Sequence, residues 1–271
     1  MNGRQIVKLE EGWAIIQIGI TKMINILEGV PESPMDGEYS RLHTTIYNMC
    51  SQKPPHHYAK EVYERYKGVF DDYLTSKVLP AIQEKQHDDV SLLQEFVKRW
   101  ANHKVMVTKL CLYFNYLDRY YIARRGIPTL KNVGIGCFRE VVGAELKVRV
   151  KDAVISLINR ERDGEEIDQT MLKSVLEIFV DLGNENETKN MEYYVNDFET
   201  TFLNDTLDYY TRKASNWTQD EYARKVVECL EKEKDRVSHY LHSSTEEKLL
   251  KVVQDVLIAP QTIACLKRNT V

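Results

Sequence analysis

Residues Lys104 to Arg125 read KVMVTKLCLYFNYLDRYYIARR, and their spacing decides the fold class. Leu110, Phe114, Leu117 and Tyr121 stand at i, i+4, i+7 and i+11, the natural core face of an α-helix. Tyr113, Tyr116 and Tyr120 form a second aromatic stripe, offset from the first. A helix needs only one buried face. The second stripe is therefore either wedged between two neighbours or offered to a partner.

The same three-and-four rhythm recurs outward in both directions. It runs through Val62, Tyr66, Phe70 and Tyr73, through Leu146, Val150, Val154 and Leu157, and through Leu172, Val175, Phe179 and Leu182. The breaks between such runs are chemically explicit. Pro31, Pro34 and Gly37 separate a first helix, about Leu9 to Gly29, from a second, about Glu38 to Cys50. Pro54-Pro55 ends the second. Asp163-Gly164 makes a turn, and Asp168 is placed to cap a helix starting near Gln169. Asn184 to Asn190 (NENETKN) reads as a polar loop. Ser243 and Ser244, with Glu246 and Glu247 three residues on, read as a capping box. No proline lies between Pro128 and Pro260, which suits long helices and not a turn-rich sandwich. The expectation is an all-α protein of about nine or ten helices with no strand, antiparallel bundles stacked into an elongated rod.

Composition narrows the function. The 37 basic residues nearly balance the 41 acidic ones, which removes the electrostatic footprint of a dedicated nucleic-acid binder. The five cysteines are scattered without a C-x-x-C pair, as expected of free thiols in the cytoplasm or nucleus, and their spacing offers no zinc site. The polar N-terminus begins no signal peptide, and no run reaches the ~18–20 apolar residues of a membrane span. Gly134-Ile135-Gly136 lacks the third glycine of a dinucleotide loop. His239 and His242 read as surface or capping side chains before they read as metal ligands, and Glu161, Glu165, Glu166 and Asp168 as a solvated charge run. No nucleophile is paired with a base. The expectation is a non-catalytic protein with no cofactor, no metal, no nucleic acid and no membrane among its partners. Sixteen tyrosines supply the material for an interface instead.

Longer motifs carry a family resemblance. They are Leu9-Glu10-Glu11-Gly12-Trp13, Thr44 to Cys50 (TTIYNMC) followed by Gln52 to His56 (QKPPH), and Leu117 to Arg125 (LDRYYIARR). Further on come Glu161 to Glu165 (ERDGE), Tyr209 to Ser215 (YYTRKAS) and Tyr240 to Ser244 (YLHSS). With these in order over about residues 5 to 257, the chain resembles the N-terminal region of the cullins, most closely the plant cullin of SCF-type ubiquitin ligases.

The resemblance implies cullin repeats, each a five-helix bundle: a first repeat over 1–150, a second, incomplete one over 151–257, and a divergent tail at 258–271. It implies a scaffold that binds a BTB-fold adaptor and, through it, F-box proteins. The implied contact residues are Tyr39, Ser40, His43, Ile46 and Tyr47 on the second helix, with Tyr113, Tyr116 and Tyr120 on the helix of residues 104–125. Two departures bear on that role. The family usually places Tyr-Met at the positions of Tyr39-Ser40 and a tyrosine at that of His43. Losing such anchors costs ~1–3 kcal/mol, so weakened adaptor binding is expected. The family also continues into a C-terminal domain that seats a RING subunit and carries a modifier-acceptor lysine, whereas this sequence reaches only Val271. On that reading no RING subunit is expected to bind. A non-productive competitor, a non-functional relic and an unrelated helical-repeat interaction protein stand as the alternatives.

Overall fold

Glycine and proline place the first helix ends. In the computed structural model, which describes residues 6–33, 35, 37–183 and 191–258, α1 (Leu9–Leu27) gives way to Gly29 at φ +74°. Then Gly37, at φ +80°, stands as the N-cap of α2 (Glu38–Ser51). Both glycines hold a left-handed backbone that an L side chain would strain. The remaining helices follow in order: α3 (Ala59–Tyr73), α4 (Leu79–Glu84), α5 (Asp89–Tyr113), α6 (Leu130–Phe138), α7 (Ala144–Arg162), α8 (Gln169–Gly183), α9 (Glu192–Tyr194), α10 (Thr200–Ala214), α11 (Gln219–His239) and α12 (Glu246–Leu257). No strand occurs among the described residues. The NENETKN loop and most of the divergent tail lie outside them.

Three π-helical turns, Leu74–Val78, Arg139–Gly143 and Val195–Glu199, join α3 to α4, α6 to α7 and α9 to α10. Twelve segments less three such joints leave nine helical runs among the described residues, within the nine or ten that periodicity predicts. The first of these turns has a covalent cause. Pro80 has no N–H for the Ser76 carbonyl and its ring would collide there, and the widened turn relieves both.

The chain gathers into two compact units, Met1–Ile82 with Lys98–Glu145, and Gln83–Val97 with Leu146–Val271. In the first, α1 lies close on α2 because two glycines leave room. A Cβ at Gly12 would stand 2.3 Å from the Met49 sulfur, and one at Gly19 would stand 2.7 Å from Leu42. Tyr66, Phe70 and Phe114 pack edge-on at ring separations of 5.2 Å, and the Tyr66 hydroxyl donates to the Leu130 carbonyl at 2.9 Å. His103 is fully enclosed between Trp100, Phe70 and Phe138 and donates from Nε2 to the Gly134 carbonyl at 2.8 Å.

The second unit buries Val150, Val154, Leu172, Phe179, Phe198, Phe202, Leu249 and Val253, and also an ionic network. The Glu233 carboxylate, wholly buried, accepts from Arg162 Nε at 2.9 Å, Arg236 Nη1 at 3.0 Å and the Tyr210 hydroxyl at 2.6 Å. Glu161, expected to be solvated, is drawn into it. The carboxylate accepts from Arg236 at 2.9 Å, Tyr240 at 2.6 Å and Gln169 at 2.8 Å. Burial alone would raise the pKa of Glu161, but these donors and the Arg236 charge hold it below the ordinary carboxylate range.

Two end signals divide. Asp168 caps α8 as expected, accepting from the Met171 N–H at 2.9 Å. The serine capping box does not form. His242 caps a short 3-10 turn, Ser243–Thr245, by accepting from the Ser244 N–H at 3.2 Å, and the buried Thr245 hydroxyl donates to Glu199 at 2.7 Å. The serines therefore lie inside the turn, ahead of Thr245, the N-cap position of α12.

Candidate protein-interaction site

The end of α5 decides how the two stripes are used. Leu110, Phe114, Leu117 and Tyr121 are all buried, as their spacing predicts. The expected single helix over 104–125 does not form. Instead α5 ends at Tyr113, and a π-helical turn, Leu117–Ile122, follows. The wider turn takes Leu117, Tyr121 and Ile122 all into the interior.

The tyrosine stripe is split by the same change. Tyr113 is only 5% exposed, Tyr116 is half-buried and Tyr120 is 50% exposed. The two readings of this stripe thus apply to different rings. On α2, Tyr39 is 46% exposed, Ser40 is exposed, His43 and Tyr47 are half-buried, and Ile46 is fully buried. Ile46 and Tyr113 therefore do not offer side chains to a partner. Tyr39 leans on Tyr113, and Ile46 packs into the interior.

The outer rings form two aromatic groups across α2 and the end of α5, linked by a hydrogen bond from His43. Tyr39 stacks on His43 with centroids 5.9 Å apart and leans on Tyr113 at 5.7 Å. Tyr47 meets Tyr116 edge-on at 5.3 Å, and Tyr116 lies 4.7 Å from Tyr120. His43 Nε2 donates to Asn115 Oδ1 at 3.1 Å, tying α2 to the end of α5. Nothing in the periodicity pointed to Asn115, which is 72 residues away in sequence. Leu112, 47% exposed and one turn before Tyr116, is a second residue outside the predicted set.

The chemistry of these groups is that of contact, not reaction. Burial raises the pKa of Tyr113, with help from Glu38 and Tyr39, and burial likewise raises that of Tyr116. Both rings keep neutral hydroxyls at pH 7, and that of the half-buried Tyr116 stands at the edge of an apolar surface. No group of three potential metal ligands occurs among the described residues, and no described helix is long and apolar enough to cross a membrane. Cys50 and Cys137 have thiols pushed up to about 12 by burial, and so are poor nucleophiles.

Comparison with known proteins places the sequence in a family. Residues 13–270 match the cullin alpha solenoid domain. The chain is 52% identical over 271 residues to Cullin-1 of Oryza sativa subsp. japonica, covering 98% of this chain and 36% of that protein. It is 46% identical to putative cullin-like protein 2 of Arabidopsis thaliana, over 94% of this chain and 68% of the relative. Cullin-like protein 3 of Arabidopsis thaliana is 37% identical, over 93% of this chain and 97% of its own length. The chain thus spans about a third of the length of rice Cullin-1 and nearly all of Cullin-like protein 3. The chain therefore belongs to the cullin family, its residues 13–270 corresponding to the family's alpha solenoid domain.

Proposed function

We propose that this chain is a non-catalytic scaffold of the cytoplasm or nucleus that docks a BTB-fold adaptor, and through it F-box proteins, in an SCF-like ubiquitin ligase assembly. The observation that carries the reading is the pair of aromatic groups Tyr39–His43 and Tyr47–Tyr116–Tyr120, exposed at Tyr39 and Tyr120, each held by ring contacts and the two linked by the His43–Asn115 hydrogen bond, with Tyr113 beneath Tyr39. Rigid aromatic rings held against their neighbours are what interface hot spots are made of, because little side-chain entropy remains to be lost on binding.

The test is capture of the purified chain on immobilised BTB-fold adaptor, with a Tyr39→Ala, Tyr120→Ala variant alongside. Retention that the double variant loses supports the proposal. Absence of retention at micromolar protein, or equal retention of the variant, overturns it.

A further inference from the structure

The second unit contains a cleft of about 200 Å³ walled by Arg162, Lys213, Lys225, Lys232, Arg236 and Trp217. Most of the carboxylates that balance these cations stand off the wall. Glu233 takes Arg162 and Arg236, Glu161 takes Arg236, and Glu221 takes Lys225 at 2.9 Å. Asp163 lies 3.4 Å from Lys213. Only Glu228 lines the cleft, held by Lys232 at 2.7 Å.

Arg236 is the informative group. Its side chain is only 6% exposed, its Nε and Nη1 are committed to Glu161 and Glu233, and its Nη2 has no hydrogen-bond partner among the described residues. That edge is open to solvent at the cleft wall, where an incoming acceptor can take the place of water. The number of donors says which kind. Lys213 is committed to the Arg162 carbonyl, the Tyr209 hydroxyl and Asp163. The two N–H groups on Nη2 and the remaining N–H groups of Lys225 and Lys232 nonetheless exceed what the two oxygens of a carboxylate can engage and suit the three free oxygens of a phosphate monoester. The volume matches about seven waters at ~30 Å³ each, more than a bare phosphate occupies. Trp217 and Tyr210 give the remainder a flat aromatic wall.

We propose that this cleft binds a phosphate-monoester group, with Arg236 Nη2 as the fixed donor, Lys225 and Lys232 as mobile ones, and Trp217 against the group that carries the phosphate. The chemistry is shared by free inorganic phosphate and by a phosphorylated side chain of a partner protein. It is independent of the aromatic groups in the first unit.

The experiment is a nuclear magnetic resonance titration of the full chain with inorganic phosphate, O-phosphotyrosine and unphosphorylated tyrosine at constant ionic strength. The Trp217 indole N–H signal, assigned through Trp217→Phe, is the readout. The expected result is a saturable shift with the two phosphates and none with tyrosine. Tighter binding of O-phosphotyrosine identifies a carried phosphate, and equal binding identifies the free ion. A Lys225→Gln, Lys232→Gln variant, altered only at surface pairs, should bind about tenfold more weakly with its other signals unmoved. No saturable shift with either phosphate, a shift reproduced by sodium chloride alone, or unchanged affinity in the double variant would overturn the proposal.

Discussion

At the scale of single residues, the aromatic face can be tuned and the core can be titrated. Ser40 is exposed beside Tyr39, so Ser40→Met adds apolar area to the face proposed to meet the adaptor. We expect the pair Ser40→Met and His43→Tyr to strengthen adaptor binding by about 1–3 kcal/mol, roughly 5- to 150-fold, in a calorimetric titration. Most of the gain should come from Ser40→Met, because His43→Tyr also removes the hydrogen bond to Asn115. Unchanged affinity would mean that binding occurs elsewhere. His103 is the titrating residue. Burial lowers its pKa from 6.5 to about 4, only partly offset by the bond to the Gly134 carbonyl, and Nδ1 has no partner among the described residues. A neutral buried imidazole stabilises the fold fully above the unfolded pKa. That contribution is lost as the pH falls from 6.5 toward 4, because the unfolded chain takes up the proton first. The loss should be on the order of 3 kcal/mol. Denaturant midpoints measured across that range for the native chain and for His103→Gln should converge in acid. Parallel curves would show that His103 does not govern the loss.

At the scale of elements, the two stripes of the α5 end make a direct contrast. Truncating Phe114 and Leu117 to alanine should cost about 2–5 kcal/mol each, since both are fully buried. Truncating Tyr116 and Tyr120 should lower the melting temperature far less and abolish adaptor capture. If the two double variants melt alike in calorimetry, both stripes are core. This is also where the sequence was most and least informative. Leu110, Phe114, Leu117 and Tyr121 were legible because burial follows helical period, and Asp168 was legible because a cap acts on a residue three positions away. The division of Tyr113 from Tyr120 was not, because a π turn shifts the phase between them and period counting assumes a constant turn. The His242 cap was hidden similarly, by a short 3-10 turn that moved the helix start past the serines.

At the scale of the whole molecule, the helical class and the interhelix breaks followed from proline placement and periodicity, while the polar interior of the second unit did not. Arg162 and Glu233 are 71 residues apart, and Glu161 and Arg236 are 75 apart. No local pattern distinguishes such charges from a solvated run, and only the folded arrangement pairs them. Burial would raise the pKa of Glu233, but Arg162 and Arg236 outweigh it and hold the carboxyl below its usual range. Glu233→Gln should therefore leave two buried guanidinium groups undercompensated and cost about 3–5 kcal/mol. Chemical denaturation measures the cost, and amide exchange should show the loss of protection in α7, α10 and α11. A cost below about 1 kcal/mol would mean the network is solvated in solution.

The π turn at Val195–Glu199 has a consequence for how the chain can change length. A π turn is an α-helix carrying one surplus residue, so removing a residue there restores an ordinary helix and leaves both flanking faces where they were. Removing one elsewhere rotates everything downstream by about 100° and turns the apolar face outward. Asn196 and Asn204 are both exposed, one inside the turn and one within α10. Deleting Asn196 should leave a cooperatively melting protein, whereas deleting Asn204 should swing Thr206, Tyr209 and Tyr210 out of the interior and abolish the transition. Single-residue insertions and deletions accumulated by descent should therefore collect at these turns, where the helix holds a spare residue.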